Sequence, residues 1–497
     1  MSLLGLDVGT SGCKSTVFST SGEILSHSYQ EYNVSRVDGE HEIDANIIWS
    51  SVKKVVFESA ELANQPVKAV CISSFGESAL PVDINGTPLA GAMLYTDPRG
   101  QEECIDLLNK KPQEDIARIT GVNPHSMYTL PKVMWRAKHQ KELFAKAHKF
   151  LMIEDFIIFK LCGEFATDYS MAARTMAFDI RKKVWSDEIF DIASINKSVF
   201  STPHPSGTPI GKILPQIANE LKLSSEAVVV TGGHDQICSA VGAGVLSSGV
   251  STDGIGTVEC ITPVFDRPIT EKEMQQYGYA CVPHAVDGLY ATYAFSVTGG
   301  AVLKWFRDNF SDKYAADADK NGINIYKYLD SIVNNKPSGI LVLPHFAGAT
   351  TPYMDTGAQS AVLGMKLETE SIDLYRAILE GVTYEILMNI EYLGRAGINI
   401  GALHATGGGA KSPVWLQIKA DILNRPISAM KNSEAGTQGA AMLAAVATGV
   451  YKNLEEAAKQ FVKISRTYEP NLQMHEQYQI HFDRYRKIYD AVKEIYN

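Results

Sequence analysis

Apolar and polar residues alternate with a period of two at the start of the chain. Leu3–Val8 reads as a strand, Thr10–Gly12 as a turn and Lys14–Ser19 as a second strand. Thr20–Glu23 turns again, and Ile24–Tyr32 reads as a third strand. The period then lengthens. Over Asn46–Ala63 the apolar residues Ile47, Ile48, Val52, Val55, Val56 and Leu62 recur at helical spacing, which predicts one buried helix face. Val67–Ser73 reads as a buried strand, Leu130–Lys149 and Glu154–Leu161 as helices, and Ala227–Thr231 as a strand running into Gly232-Gly233.

The second half opens in the same way. Gly249–Thr252 predicts a strand, Asp253–Thr257 a glycine turn and Val258–Val264 a strand. Helices follow at Thr298–Asn309, Ser371–Gly394, Pro413–Leu423 and Gly436–Thr448, with strands at Gly339–Leu343 and Ala402–Ala405. DVGTSGCKSTVF from Asp7 and DGIGTVECITPVF from Asp253 share an aspartate, a Gly-Thr pair and an apolar strand. The two Gly-Thr pairs stand 247 residues apart, nearly half of 497, so a duplicated α/β architecture is expected.

Composition narrows the function classes. With 46 basic and 56 acidic residues the net charge is −10, the wrong sign for a nucleic-acid footprint. Backbone N–H groups can still cradle a phosphate on an acidic protein. The seven cysteines include no CxxC pair, which argues against a zinc knuckle or a disulfide framework. The initial apolar run stops at Asp7, too early for a signal peptide, and Ala440–Ala447 is too short to span a bilayer. A cytoplasmic enzyme is the expectation, with no nucleic-acid or membrane partner. A homodimer stays open.

Five segments could carry chemistry. In Asp7–Lys14 a carboxylate ends a strand and a glycine turn follows. Its Thr10 and Ser11 hydroxyls, with Lys14, suit a phosphate–magnesium site, although Asp-x-Gly is also an ordinary hairpin turn. In Val228–Gln236 the strand ends in Gly-Gly, and Asp235 is placed as a general base. His234 lacks a partner at ligand spacing and reads as structural or pocket-lining. Ala405–Ser412 has three glycines between a strand and a helix. It fails the P-loop pattern because Ala410 precedes Lys411, yet it presents backbone to a nucleotide. Ser73–Ser78 offers Glu77 to substrate hydroxyls, and Tyr95–Arg99 offers an aromatic face with Asp97 and Arg99.

Taken in order, these segments resemble the FGGY carbohydrate kinase family, which includes xylulokinase and glycerol kinase. The resemblance also rests on Met127–Trp135, Thr298–Trp305, Pro344–Gly364, Arg376–Gly381 and Glu434–Ala441, and it covers essentially the whole chain. Arg136 departs from the apolar residue usual after that tryptophan. The resemblance implies two actin-like (ribonuclease H-like) ATPase domains flanking a catalytic cleft. The expected division is 1–246 for sugar and the catalytic base, and 247–497 mainly for ATP. It implies Asp235 as base, Asp7 at the Mg²⁺ and phosphate end with Thr10 nearby, and Gly256 and Thr257 as the second phosphate hairpin. Gly300 and Lys304 would flank the nucleotide, with Gly408, Gly409 and Ser412 on the adenosine side. Glu77, Tyr95 and Gln236 fall at sugar-contacting positions. Gly76, Asp97 and Glu259 complete the expected sugar side.

The substrate is less determined. Xylulokinases carry Met-His-Gly where this chain has Phe75-Gly76-Glu77, and Asp-Asn where it has Asp235-Gln236. Asp-Gln and the glutamate are glycerol-kinase features. That family's preceding arginine is Gly76 here, and its pocket tryptophan is Tyr95. Glu77 with Glu259 would favour a neutral polyhydroxylated substrate and repel a sugar acid. The expected reaction transfers phosphate from ATP to a ketose such as a pentulose. A polyol is the alternative acceptor. An actin-like nucleotide switch without a sugar acceptor is a rival from another class, whereas a dehydrogenase fails for lack of a GxGxxG strand–helix opening.

Overall fold

The computed structural model describes residues 1–37 and 39–496. The opening alternation forms an antiparallel hairpin, Ser2–Val8 with Gly12–Ser19, and Ile24–Glu31 extends it. Val67–Ser74 pairs parallel to Ser2–Val8, and Val228–His234 pairs parallel to Val67–Ser74. With Pro209–Lys212 on the far edge this makes a six-stranded sheet. The second half repeats the plan. Val250–Ile255 pairs antiparallel to Glu259–Phe265 and parallel to Ala402–Thr406, which pairs parallel to Ile427–Met430. The short Gly-Thr repeat therefore marks a repeated sheet core.

Several expectations need correction. Leu130–Lys149 is two helices, Thr129–His139 and Lys141–Lys146, broken at Gln140, followed by the strand Lys149–Met152. Asp253 lies within a strand, so the second hairpin turns over Gly256–Val258. In the helix Ala45–Ala63 the buried apolar residues are Ile48, Val52, Val55 and Val56, whereas Ile47 and Leu62 face solvent. At about 100° per residue Ile47 falls outside the 48–52–55–56 stripe, whereas Leu62 lies at its edge and is exposed in the last turn of the helix. The five-stranded sheet formed by 35–37, 40–43, 92–93, 79–82 and 149–152 has strands too short to show a period.

The two halves are tightly joined. The alanine-rich stretch that is too short for a membrane lies in the helix Ala435–Ala447. Its Ala440, Ala441, Leu443 and Ala444 pack with Leu3, Phe18, Ala69 and Val230 of the first sheet. This approach requires glycine: a Cβ on Gly5 would lie 1.9 Å from the Thr437 carbonyl oxygen. The same helix crosses Asp235–Gly242 backbone to backbone, and a Cβ on Gly439 would lie 1.9 Å from the Cys238 carbonyl oxygen. Among the described residues no helix is long and apolar enough to cross a membrane.

Candidate active site

Asp235 begins a helix where the strand Val228–His234 ends, at the crossing of the two halves. Its side chain is about one-third exposed (33 %), and burial in the cleft pushes its carboxyl up to about 6. Hydrogen bonds from Gln236 and the charges of Arg174 and Lys14 oppose that rise. Such a carboxylate is ionised at neutral pH and still basic enough to accept a hydroxyl proton.

Asp7 faces the same space from Ser2–Val8, one strand further along the sheet beyond Val67–Ser74. Its Oδ1 accepts a hydrogen bond from Ser73 Oγ at 2.9 Å, and Lys14 Nζ lies 3.5 Å from Oδ2. Burial raises the Asp7 carboxyl; Lys14 lowers it, and the charge of Asp235 raises it further. Two carboxylates that repel across one cleft form a donor set suited to a divalent cation. Lys14 also lies 3.1 Å from Glu434, so its ammonium bridges both halves. Thr10 and Ser11 occupy the turn of this hairpin, where Gly9 N–H donates to the Gly12 carbonyl at 2.9 Å.

On the acceptor side, Glu77 has left-handed backbone geometry (φ 63°), and Thr129 Oγ1 donates to its carbonyl. The Glu77 carboxylate accepts from Arg174 through Nε at 2.5 Å and through Nη2. The Arg174 guanidinium lies between Tyr128 and Tyr293, 5.1 and 5.3 Å from their ring centres. His234 packs against Tyr293 with its Nδ1 3.3 Å from Asp235 Oδ1, and burial pushes its imidazole down to about 4, so it is neutral and lines the pocket. Tyr95 is exposed and feels the charges of Glu77 and Asp235. Gly76 is small for a physical reason: a Cβ there would meet His234 Cδ2 at 2.9 Å and Arg174 Cγ at 3.0 Å. Arg174 thus fills the room a side chain at 76 would need. The sequence reading missed Arg174, Tyr128 and Tyr293, because only the fold brings them beside Glu77.

Two expected sugar contacts do not hold. The Asp97 carboxylate is fully buried and accepts from Arg99 N, Nε and Nη2 and from His41 N, at 2.7–2.9 Å. It braces a loop and has no free face toward a ligand. Glu259 is also fully buried and ion-pairs with Lys419, whose Nζ lies 3.0 Å from Asp253. Burial raises the Glu259 carboxyl and Lys419 opposes the rise. With Glu259 withdrawn and Glu77 neutralised by Arg174, the expected repulsion of sugar acids loses its basis.

The second half holds a cavity of about 610 Å³ beside the hairpin. Gly256, Thr257, Gly300, Lys304, Gly408, Gly409 and Ser412 all line it. Gly300 N–H donates to the Gly256 carbonyl at 2.8 Å, which seats a helix N-terminus against the hairpin turn. Ser412 Oγ accepts from Trp415 N–H and caps the helix Pro413–Leu423. Tyr326, Asp330, Tyr375 and Trp415 supply the apolar and polar walls that no glycine motif announced.

The chain is similar to known proteins along essentially its whole length. The profile of the FGGY family of carbohydrate kinases, N-terminal domain, matches residues 2–242, and that of the C-terminal domain matches residues 256–448. A xylulose kinase of Bacillus subtilis is 28% identical over 500 residues, covering 99% of this chain and 97% of its own. An autoinducer-2 kinase of Escherichia coli is 26% identical over 501 residues, covering 98% and 94%. The crystal structure of a ligand-bound xylulose kinase from Lactobacillus acidophilus superposes with a TM-score of 0.89 at 25% identity, over 100% of this chain and 99% of that one. The two sheets and the cleft between them are thus the two-domain, actin-like ATPase fold of those kinases. With both family profiles matched along one chain, the protein belongs to the FGGY family of carbohydrate kinases.

Proposed function

We propose that this carbohydrate kinase transfers the γ-phosphoryl group of ATP to a hydroxyl of a small ketose, a pentulose being the leading candidate. The carrying observation is that Asp235, raised to about 6, opens onto the cleft that Asp7 also faces. The division at 246 then assigns acceptor and base to the first half and nucleotide mainly to the second.

In this reading the acceptor lies against Tyr95 and the Glu77–Arg174 pair, with Gln236 beside the base. Asp235 takes the hydroxyl proton as the oxygen attacks phosphorus in line. With the Gly9 and Gly256 amides closing their own hairpins, the turns offer the N–H groups of Thr10, Ser11 and Thr257 to the phosphates from opposite sides, while Lys14 and Lys304 supply positive charge. Nucleotide fills the 610 Å³ cavity, against Gly300, Gly408, Gly409 and Ser412. Asp7 would hold Mg²⁺, which when bound neutralises charge on the phosphates. Family membership leaves no place for a nucleotide switch without an acceptor.

Relatives named xylulose kinase support a pentulose. Glu77 and the Asp235-Gln236 pair favour a polyol as the second reading. A coupled ADP assay over pentuloses, hexuloses, polyols and aldonates separates them. The highest kcat/KM is expected for a pentulose, and a higher value for glycerol or another polyol would replace that assignment.

A further inference from the structure

The strand that carries the base is fastened in an unusual way. Pro209–Lys212 covers its outer edge only as far as Val230, and the loop at 207–208 bonds Thr231. On its inner edge the register with Val67–Ser74 shifts between Thr231 and Gly233. The last outward N–H groups before Asp235 therefore have no strand to bond. Side chains take them instead. Gly232 N–H donates to Glu154 Oε1 at 2.8 Å, and His234 N–H donates to Ser170 Oγ at 2.9 Å.

Both acceptors belong to one buried network. Ser170 Oγ donates to Asp168 Oδ1 at 3.0 Å, and Ser206 Oγ donates to Asp168 Oδ2 at 2.6 Å. Asp168 also caps its own helix, accepting from Ser170 N–H and Met171 N–H at 2.9 and 2.8 Å. Glu154 Oε2 accepts from Asp168 N–H at 3.3 Å. Glu154, Asp168 and Ser170 are at most 1% exposed. Burial raises the Glu154 carboxyl and the neighbouring Asp168 and Asp155 raise it further, while the bonds from the Gly232 and Asp168 amides oppose the rise. The helix that Asp168 begins, Tyr169–Ala173, is capped at its other end by Arg174, the partner of Glu77. One helical turn thus ties the strand end bearing the base to the carboxylate of the acceptor site.

We propose that Ser170, oriented by Asp168, is a positioning residue for Asp235: its bond to the His234 amide fixes the strand end from which the base is aimed. A bulge or register shift re-aims the side chains beyond it, and here the new direction is set by a hydroxyl that touches no reactant. The inference rests on Asp235 being the base.

The test uses the full chain with Ser170→Ala, Ser170→Thr and Asp235→Asn, and the sugar that the wild type turns over fastest in the panel above. In Ser170→Ala, kcat falls about tenfold to hundredfold, as for a displacement of about 1 Å, while KM for sugar and for ATP moves by less than about threefold. The melting temperature stays within a few degrees of wild type, and Ser170→Thr, which keeps a hydroxyl, restores most of kcat. An inactive Asp235→Asn beside a Ser170→Ala variant with wild-type kcat overturns the positioning role alone. So does a loss in Ser170→Ala that follows the unfolded fraction and is not restored by threonine. A fully active Asp235→Asn instead removes the base, and the inference with it.

Discussion

The two Gly-Thr hairpins come from one plan but place charge on opposite sides of their sheets. In the first, Asp7 stands two residues before Gly9. In the second, Asp253 stands three residues before Gly256. Side chains alternate along a strand, so one extra residue turns the aspartate to the other face. Asp7 faces the cleft beside Lys14, and the matching second-half positions are Gly254 and Cys260, which pair in the same register. Asp253 points inward and, with Glu259, surrounds Lys419 at zero exposure. The first half thus presents ionised groups to the cleft. The second presents mainly backbone and keeps its charges underneath, where they tie the hairpin to the helix Pro413–Leu423.

Asp235→Asn breaks the comparison most sharply. If the first half alone supplies the acid–base group, kcat falls by about 10²- to 10⁴-fold with the fold intact. Circular dichroism with the coupled assay checks both.

Lys419→Met addresses the second half. Removing the cation leaves two buried carboxylates unpaired, and a loss of roughly 3–5 kcal/mol in stability is expected. Denaturant unfolding measures it. The matching change in the first half, Lys14→Met, removes a partly solvated pair worth at most about 1 kcal/mol and raises KM for ATP instead. Equal stability losses in the two variants would erase the distinction between the hairpins.

The smallest effects are on pH. Activity should rise with pH through about 6 as Asp235 ionises, seen in kcat/KM from pH 5 to 8. Stability moves the other way. The folded carboxyl binds its proton more tightly than the unfolded one, so Asp235 costs stability as pH rises from about 4 to about 6. Asp235→Asn should therefore melt higher than wild type at pH 8 and equal to it near pH 4. The gain is about 1 kcal/mol once solvent screening of a partly exposed carboxylate is allowed for.

The sequence disclosed the parts whose chemistry is written in the backbone. A Cβ on Gly300 would lie 2.6 Å from the Gly256 carbonyl oxygen and one on Gly409 would strike Ile255 and Trp415, so glycine is needed at both, and the spacing of these glycines survives in one dimension. Arg174, Tyr128 and Tyr293 carry no such mark. They meet Glu77 through three separate segments, one from the second half, and proximity of that kind is decided by packing. Glu259 and Asp97 were misread for a related reason: a carboxylate beside a motif looks available until its strand face and its cationic partner are known. Counting strand parity from Gly256 would have turned Asp253 inward. It would not have disclosed Lys419, which lies 160 residues beyond Glu259.

The helix Ala435–Ala447 has a consequence for taking the protein apart. It is encoded in the second half, yet it forms part of the roof over the first sheet. A fragment ending at residue 246 would keep only Cys238 and Val241 of the helix Asp235–Gly242 over Leu3, Phe18, Ala69 and Val230, and the apolar patch exposed by the loss of residues 435–447 drives aggregation. The duplicated halves have therefore lost the independence their shared plan suggests. Swapping in a half from a relative would succeed only if residues 435–447 travelled with the sheet they cover.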